Sequence, residues 1–299
     1  MLYDLFCESV RQILETEISK KYESVKVCKE LIRGHNGTDR DVVRCYIPEL
    51  NVAPIVYLDW VYEEHRSGGP FQELIRELVD TILSNVSVVI EQKKRWMDMD
   101  FVKGNLVCRL ISKERNKDLL QNIPWVPYLD MAVIFSVYYG PYNGQILQST
   151  LTREKQQDLG LSEQDVYDLA LNNTKRMFPY QLSRATDEEW EMYAKQLNLP
   201  SFYVLTNTLM NWGATYMLYP EIWKEVSTQL DADLIILPMS VSEVMIIADQ
   251  DHDEEMYRQH SEIVSYVHEY YLQEQDYLSD SIYLYSRKED NVRIWMPNP

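Results

Sequence analysis

Residues 129–151 carry the pattern that decides the fold. They read Leu-Asp-Met-Ala-Val-Ile-Phe-Ser-Val-Tyr-Tyr over 129–139, Gly-Pro-Tyr-Asn-Gly over 140–144 and Gln-Ile-Leu-Gln-Ser-Thr-Leu over 145–151. The mostly apolar first run predicts a buried central strand, and the Pro-Tyr-Asn-Gly sequence is typical of a turn. We therefore expect 145–151 to return antiparallel beside 129–139.

The sequence on either side of this pair alternates between apolar residues at helical spacing and short β-branched runs. Ser162 and Asp165 resemble a capping box that begins a helix through Arg176. Further strands are predicted at 25–32, 41–47, 105–112, 202–207, 233–237, 243–248, 282–285 and 292–295, and helices at 2–18, after Pro70, around 212–229 and through 257–271. Because this order lacks strict βαβ repetition, we predict an α+β fold of mixed, largely antiparallel sheets packed with helices.

The segment 179–200 is the predicted domain boundary. It is bounded by Pro179 and Pro200 and contains the polar run Asp-Glu-Glu-Trp-Glu over 187–191, as linkers often do. This predicts an N-terminal α+β domain over 1–178 and a C-terminal α+β domain over 201–299. The alternative is a single domain in which the segment forms a surface helix.

Composition restricts the class of protein. The 299 residues hold 29 Lys and Arg against 47 Asp and Glu, a net charge of −18, which opposes direct binding to nucleic acid. The four cysteines contain no C-x-x-C pair, so we expect reduced thiols and no zinc site. The opening residues do not fit a secretory signal, and the apolar stretch 234–248 is broken by Pro238. We therefore expect a cytoplasmic protein with no cofactor and no membrane partner.

Several short motifs together resemble a known family. They are Pro-Ile-Val-Tyr-Leu at 54–58, Pro-Tyr-Leu-Asp at 127–130, Leu-Ala-Leu-Asn-Asn-Thr at 169–174, Tyr-Val-Leu-Thr-Asn at 203–207 and Ile-Leu-Pro-Met-Ser at 236–240. Over most of the chain they resemble the domain-of-unknown-function 5688 family of anaerobic gut bacteria. The part from Leu151 onward is also distantly similar to domain of unknown function 1444. The resemblance implies an α+β protein of a bacterial cytoplasm, compatible with carriage on mobile elements, and it implies no activity.

An acidic run after the 243–248 strand is the strongest candidate for chemistry. Asp249, Asp251 and Asp253 alternate there, and a strand that delivers carboxylates to its end can hold a divalent ion against a phosphate. This predicts a metal-dependent enzyme that handles a phosphate or nucleotide sugar as the alternative function. The other interpretation is an acidic helix N-terminus that complements the helix dipole. An EF-hand is excluded, because Glu254 and His260 occupy the positions that need Gly and Glu.

Tyrosine is the unusual residue of this composition, with 22 copies. Its large, rigid ring with a polar tip suits protein–protein contacts, although tyrosines also edge a core and reach water. Residues 249–299 add twelve acidic residues against four basic ones, and an acidic surface can also imitate DNA toward a basic partner. Many of the tyrosines lie in the later part of the chain, and we single out eleven of these as the later tyrosines: Tyr138, Tyr139, Tyr142, Tyr216, Tyr219, Tyr266, Tyr270, Tyr271, Tyr277, Tyr283 and Tyr285. We therefore predict a non-enzymatic binding or regulatory protein that contacts a protein partner through an acidic, tyrosine-rich surface.

Overall fold

A computed structural model of the chain describes residues 2–142, 144–185 and 202–297. The chain divides into two compact units, Met1–Val102 and Lys103–Pro299. Each unit combines helices with sheets in which every strand pair is antiparallel. The predicted α+β class is confirmed.

The first unit packs two long helices with a three-stranded sheet. Its elements are α1 (Tyr3–Ser19), β1 (Lys26–Arg33), β2 (Asp39–Tyr46), β3 (Ile55–Tyr57), α2 (Asp59–Arg66) and α3 (Phe71–Met97), followed by α4 (Met99–Asn105), and the strand order is β1-β2-β3. Leu14 and Ile18 of α1 and Leu78 and Ile82 of α3 are fully buried in its core. Burying each such side chain contributes about 1.5–3 kcal/mol to folding. The predicted N-terminal helix and the hairpin that follows it are confirmed.

The strand predicted to be central is the centre of the second unit's smaller sheet. The sheet contains β4 (Leu106–Ser112), β5 (Trp125–Tyr128), β6 (Met131–Tyr142) and β7 (Gln145–Thr150), and β6 pairs with all three others. The register of β6 and β7 shifts between Tyr138 and Gly140. Gly140 has a φ of 115°, which a residue with a side chain rarely adopts.

The larger sheet of the second unit has six strands in the order β13-β12-β10-β11-β9-β8. Its strands are β8 (Tyr180–Arg184), β9 (Tyr203–Asn207), β10 (Asp233–Leu237), β11 (Val244–Asp249), β12 (Tyr283–Ser286) and β13 (Asn291–Ile294). In the described part of this unit, the α-helices that follow β4 are α5 (Lys117–Leu120), α6 (Arg153–Leu159), α7 (Glu163–Met177), α8 (Pro220–Leu230) and α9 (Glu254–Tyr270). Helix α7 begins at the predicted capping box, in which Ser162 and Asp165 each accept a backbone N–H of the other.

The division into units differs from the predicted domains 1–178 and 201–299. The predicted linker 179–200 begins with strand β8, whose residues Tyr180–Arg184 pair with β9 along their whole length. This ladder ties the start of the segment to the larger sheet, so the segment starts inside the second unit. Residues 186–201 lie outside the described part of the chain.

Helix α9 is the element that positions the candidate binding surface. Its inner residues Tyr257, Val264 and Val267 share a core with Met245 and Ile247 of β11. Residues at those spacings lie on one face of a helix, and the opposite face, which includes Glu262, Tyr266 and Glu269, is exposed. Among the described residues, no helix combines the length and the apolar character needed to cross a membrane. All four cysteines are free thiols.

Truncation of Leu78 to alanine should lower the free energy of unfolding of the first unit by about 2–5 kcal/mol, because it leaves a cavity in a fully packed core. Urea denaturation measures this loss. Leu31→Ala is the matched control, since Leu31 is 64% exposed whereas Leu78 is 0% exposed. A loss of equal size for both variants would contradict the assignment of the core.

Candidate functional site

The acidic run Asp249, Asp251 and Asp253 lies at the junction of β11 and α9. Asp249 is 2% exposed. One of its carboxylate oxygens accepts a hydrogen bond from the Tyr257 hydroxyl and lies 3.1 Å from His252 Nδ1, and the other accepts from the His252 backbone N–H at 3.0 Å. Burial, with the bond to Asp249 as a second cause, raises the pKa of Tyr257. The buried carboxylate thus fastens the strand end to the helix.

The other two aspartates of the run do not join Asp249. Asp251 is exposed, and the Asp253 carboxylate caps α9 by accepting the Glu255 backbone N–H at 2.9 Å. Within 2–142, 144–185 and 202–297, no three His, Cys, Asp or Glu side chains form a group that could hold a metal ion. The two interpretations of the run are a metal site and an acidic helix N-terminus. Asp253 lies at a helix N-terminus, as the second interpretation expects.

The histidines of α9 and of the turn before it make separate sets of contacts. His260 lies with Nδ1 2.6 Å from the Met256 carbonyl oxygen, and its burial lowers its pKa. His268 lies with Nδ1 2.9 Å from Asp280 Oδ1 and Nε2 3.1 Å from the Pro238 carbonyl oxygen. His268 thereby links the loop before β12 to the turn after β10.

A polar pocket of about 360 Å³ lies in the second unit, beside that loop, and sequence reasoning missed it. Its lining consists of Ser112, Lys113, Glu114, Asp130, Tyr277, Leu278, Ser279, Asp280 and Ser281. The Asp130 carboxylate accepts hydrogen bonds from the hydroxyls of Ser279 at 2.6 Å, Ser281 at 2.9 Å and Tyr283 at 2.6 Å. Burial, followed by the Asp130 charge, raises the pKa of Tyr283.

We call these three hydrogen bonds to Asp130 the Asp130 clasp, and their role is structural. Each of the three hydroxyls donates its hydrogen bond to the Asp130 carboxylate. These bonds hold the chain before β12 against the turn between β5 and β6. A nucleophilic serine would instead need a base that takes its proton. The sequence shows the alternation of Ser279, Ser281 and Tyr283, but it contains no signal that joins them to Asp130, because Asp130 and Ser279 are 149 positions apart.

Most of the later tyrosines lie in or beside the core, as the second interpretation of the tyrosine content expects. Five of the eleven are at most 8% exposed, namely Tyr139, Tyr216, Tyr219, Tyr283 and Tyr285. Three are exposed, and they lie together at the end of α9: Tyr266 is 42%, Tyr270 62% and Tyr271 52% exposed. The Tyr266 ring centroid lies 4.9 Å from that of Tyr270 and 5.8 Å from that of Tyr271.

Acidic side chains surround these three rings. Glu262, Glu269 and Glu274 are exposed on and just after the helix. Glu262 and Glu269 share the face of Tyr266 and Tyr270, since spacings of three and four residues align on a helix. A hydrogen bond to the Glu269 carboxylate raises the pKa of Tyr270. We call Glu262, Tyr266, Glu269, Tyr270, Tyr271 and Glu274 the α9 tyrosine surface.

These features define the class of the protein: an α+β protein whose second unit carries an exposed aromatic and acidic helix face and a polar pocket. The chain belongs to a family of unknown function, DUF5688, which matches residues 3–287. This confirms the resemblance seen in the sequence motifs, whereas the similarity to domain of unknown function 1444 is not shown. No curated protein and no solved structure matches the chain.

Replacement of Asp130 by alanine should lower the free energy of unfolding of the second unit by about 1.5–3 kcal/mol, because three hydroxyls lose a charged acceptor. Thermal or urea denaturation measures the loss. The control is Asp251→Ala at an exposed position, for which we expect a change within about 0.5 kcal/mol. If the two variants are equally stable, the clasp does not hold the second unit together.

Substitution of Glu269 by glutamine should lower the pKa of Tyr270 toward the ordinary tyrosine value of about 10, because the carboxylate that favours the protonated phenol is removed. Titration followed by NMR of the labelled tyrosine ring reports this value directly. Glu262→Gln serves as the control, since Glu262 makes no such bond. An unchanged titration of Tyr270 in Glu269→Gln would show that the two side chains do not interact.

Proposed function

We propose that this chain is a non-enzymatic binding protein that contacts a protein partner through the α9 tyrosine surface. The observation that carries the proposal is the grouping of Tyr266, Tyr270 and Tyr271, which expose three neighbouring rings. Several other tyrosines of the second unit are buried in its core. Exposed aromatic groups of this kind are typical of recognition surfaces.

The physical properties of tyrosine support a binding role. A tyrosine ring has two side-chain torsions, so ordering it at an interface costs little conformational entropy for the area it buries. The Tyr266 and Tyr270 rings already contact each other, which reduces the cost further. Tyrosine also combines this large apolar ring with a polar tip, which suits a surface that is part apolar and part wet.

The acidic residues considered for metal chemistry have structural contacts. Asp249 accepts the Tyr257 hydroxyl, and Asp253 caps a helix. The metal-dependent alternative at Asp249, Asp251 and Asp253 is therefore not proposed, because no described contact favours it. As part of the proposal we place the protein in a bacterial cytoplasm, a location that four free cysteine thiols support.

Photo-crosslinking tests the proposal. Benzoylphenylalanine at position 266 should form a discrete crosslinked species with a protein of a bacterial lysate, and Tyr270→Ala in the same chain should abolish it. Position 46 is the matched control, because Tyr46 is 40% exposed and Tyr266 is 42% exposed. Equal products at both positions, or no product at position 266, would overturn the proposal.

A further inference from the structure

We infer that the partner presents an arginine to the α9 tyrosine surface, within a basic segment that stacks on the Tyr270 ring and pairs with the neighbouring carboxylates. This inference rests on the proposed function and names the chemistry of the partner. It rests on two observations: cations of the chain lie over several other tyrosine rings, and acidic side chains lie near Tyr270.

Elsewhere in the chain, several tyrosine rings lie under cations of the chain itself. The guanidinium carbon of Arg40 lies 3.9 Å from the Tyr57 ring centroid, and that of Arg115 lies 3.5 Å from the Tyr277 centroid. Lysine ammonium groups lie 5.3–6.0 Å from three more tyrosine rings, those of Tyr3, Tyr22 and Tyr219. A cation within about 6 Å of a ring centroid is attracted by the negative face of the ring.

Tyr270 is arranged differently. It is 62% exposed, its ring contacts Tyr266, and its hydroxyl interacts with the Glu269 carboxylate. In the part of the chain that the structure describes, no lysine or arginine covers the Tyr270 ring. The arginine of α9, Arg258, pairs with Glu255 at 2.9 Å and lies more than two helical turns before Tyr266. Among the described residues, the Tyr270 ring thus lacks a cation of the kind that covers Tyr57 and Tyr277.

The charges around the rings indicate which charge a binding partner carries. Glu262, Glu269 and Glu274 are exposed beside the tyrosines, and the whole chain carries a net charge of −18. A negative ring face and neighbouring carboxylates both attract cations, and they repel phosphates and acidic peptides. Arginine suits the surface better than lysine, because its planar guanidinium stacks on a ring while its edge donates to a carboxylate in a fork.

Isothermal titration of the full chain with two synthetic peptides tests the inference. The probe is Gly-Arg-Gly-Arg-Gly-Arg-Gly, and the matched peptide carries glutamine in place of each arginine. We expect the arginine peptide to bind and the glutamine peptide not to bind. Binding should weaken as salt is raised from 50 to 200 mM, because exposed charges are screened.

Variants locate the binding on the chain. Tyr270→Ala should weaken the arginine peptide about five- to tenfold, in line with an exposed to partly desolvated cation–π contact, and Glu269→Gln should weaken it as well. Tyr270→Phe keeps the ring face and should bind nearly as the parent does. Tyr57→Ala is the control, because Arg40 already covers that ring, and it should leave the affinity unchanged.

The inference is overturned if the glutamine peptide binds equally well, if the arginine peptide does not bind, or if Tyr270→Ala and Tyr57→Ala have the same effect. The last result would mean that the peptide follows net charge alone. The crosslinking at position 266 separates this failure from that of the proposed function. If a partner is captured at position 266 but the arginine peptide does not bind, the proposed binding surface stands and the inference of a cationic partner is rejected.

Discussion

The burial of one face of α9 against β11 is the interaction on which the functional surface depends. Val264 and Val267 are 0% and 7% exposed in a core that they share with Ile247. Once these residues face the sheet, the helical repeat leaves Tyr266 and Tyr270 on the outer side. The packing of the inner face thus forces two aromatic rings into water, which is unfavourable in free energy.

Two buried or partly buried carboxylates complete this arrangement. Asp249 fixes the start of α9 through Tyr257, and Asp130 holds the chain before β12 through three hydroxyls. A carboxylate removed from water is costly unless donors compensate it, and here hydroxyl donors do so. In the sequence Asp249 resembles a metal ligand, whereas in the structure its contacts with Tyr257 and His252 join a strand end to a helix.

The sequence predicts the parts of the fold that local patterns control. The buried strand at 129–139, its antiparallel return and the capping box at Ser162 depend on residues that are close in the chain. The Asp130 clasp could not be predicted in this way, because Asp130 and Ser279 are 149 positions apart. Strand β8 was missed for a similar reason, since its polar residues become a strand only through their ladder with β9. For the tyrosines, the helical period of α9 could have separated the inner Tyr257 from the outer Tyr266.

The central claim is that the outer face of α9 is where this protein meets its partner. Covalent footprinting of tyrosines by nitration, read by mass spectrometry, tests it most directly when the full chain is treated with and without a bacterial lysate. The account predicts that modification of Tyr266, Tyr270 and Tyr271 falls in the lysate while that of Tyr46 and Tyr57 does not. Uniform modification in both conditions, or protection confined to the tyrosines of the first unit, would contradict it.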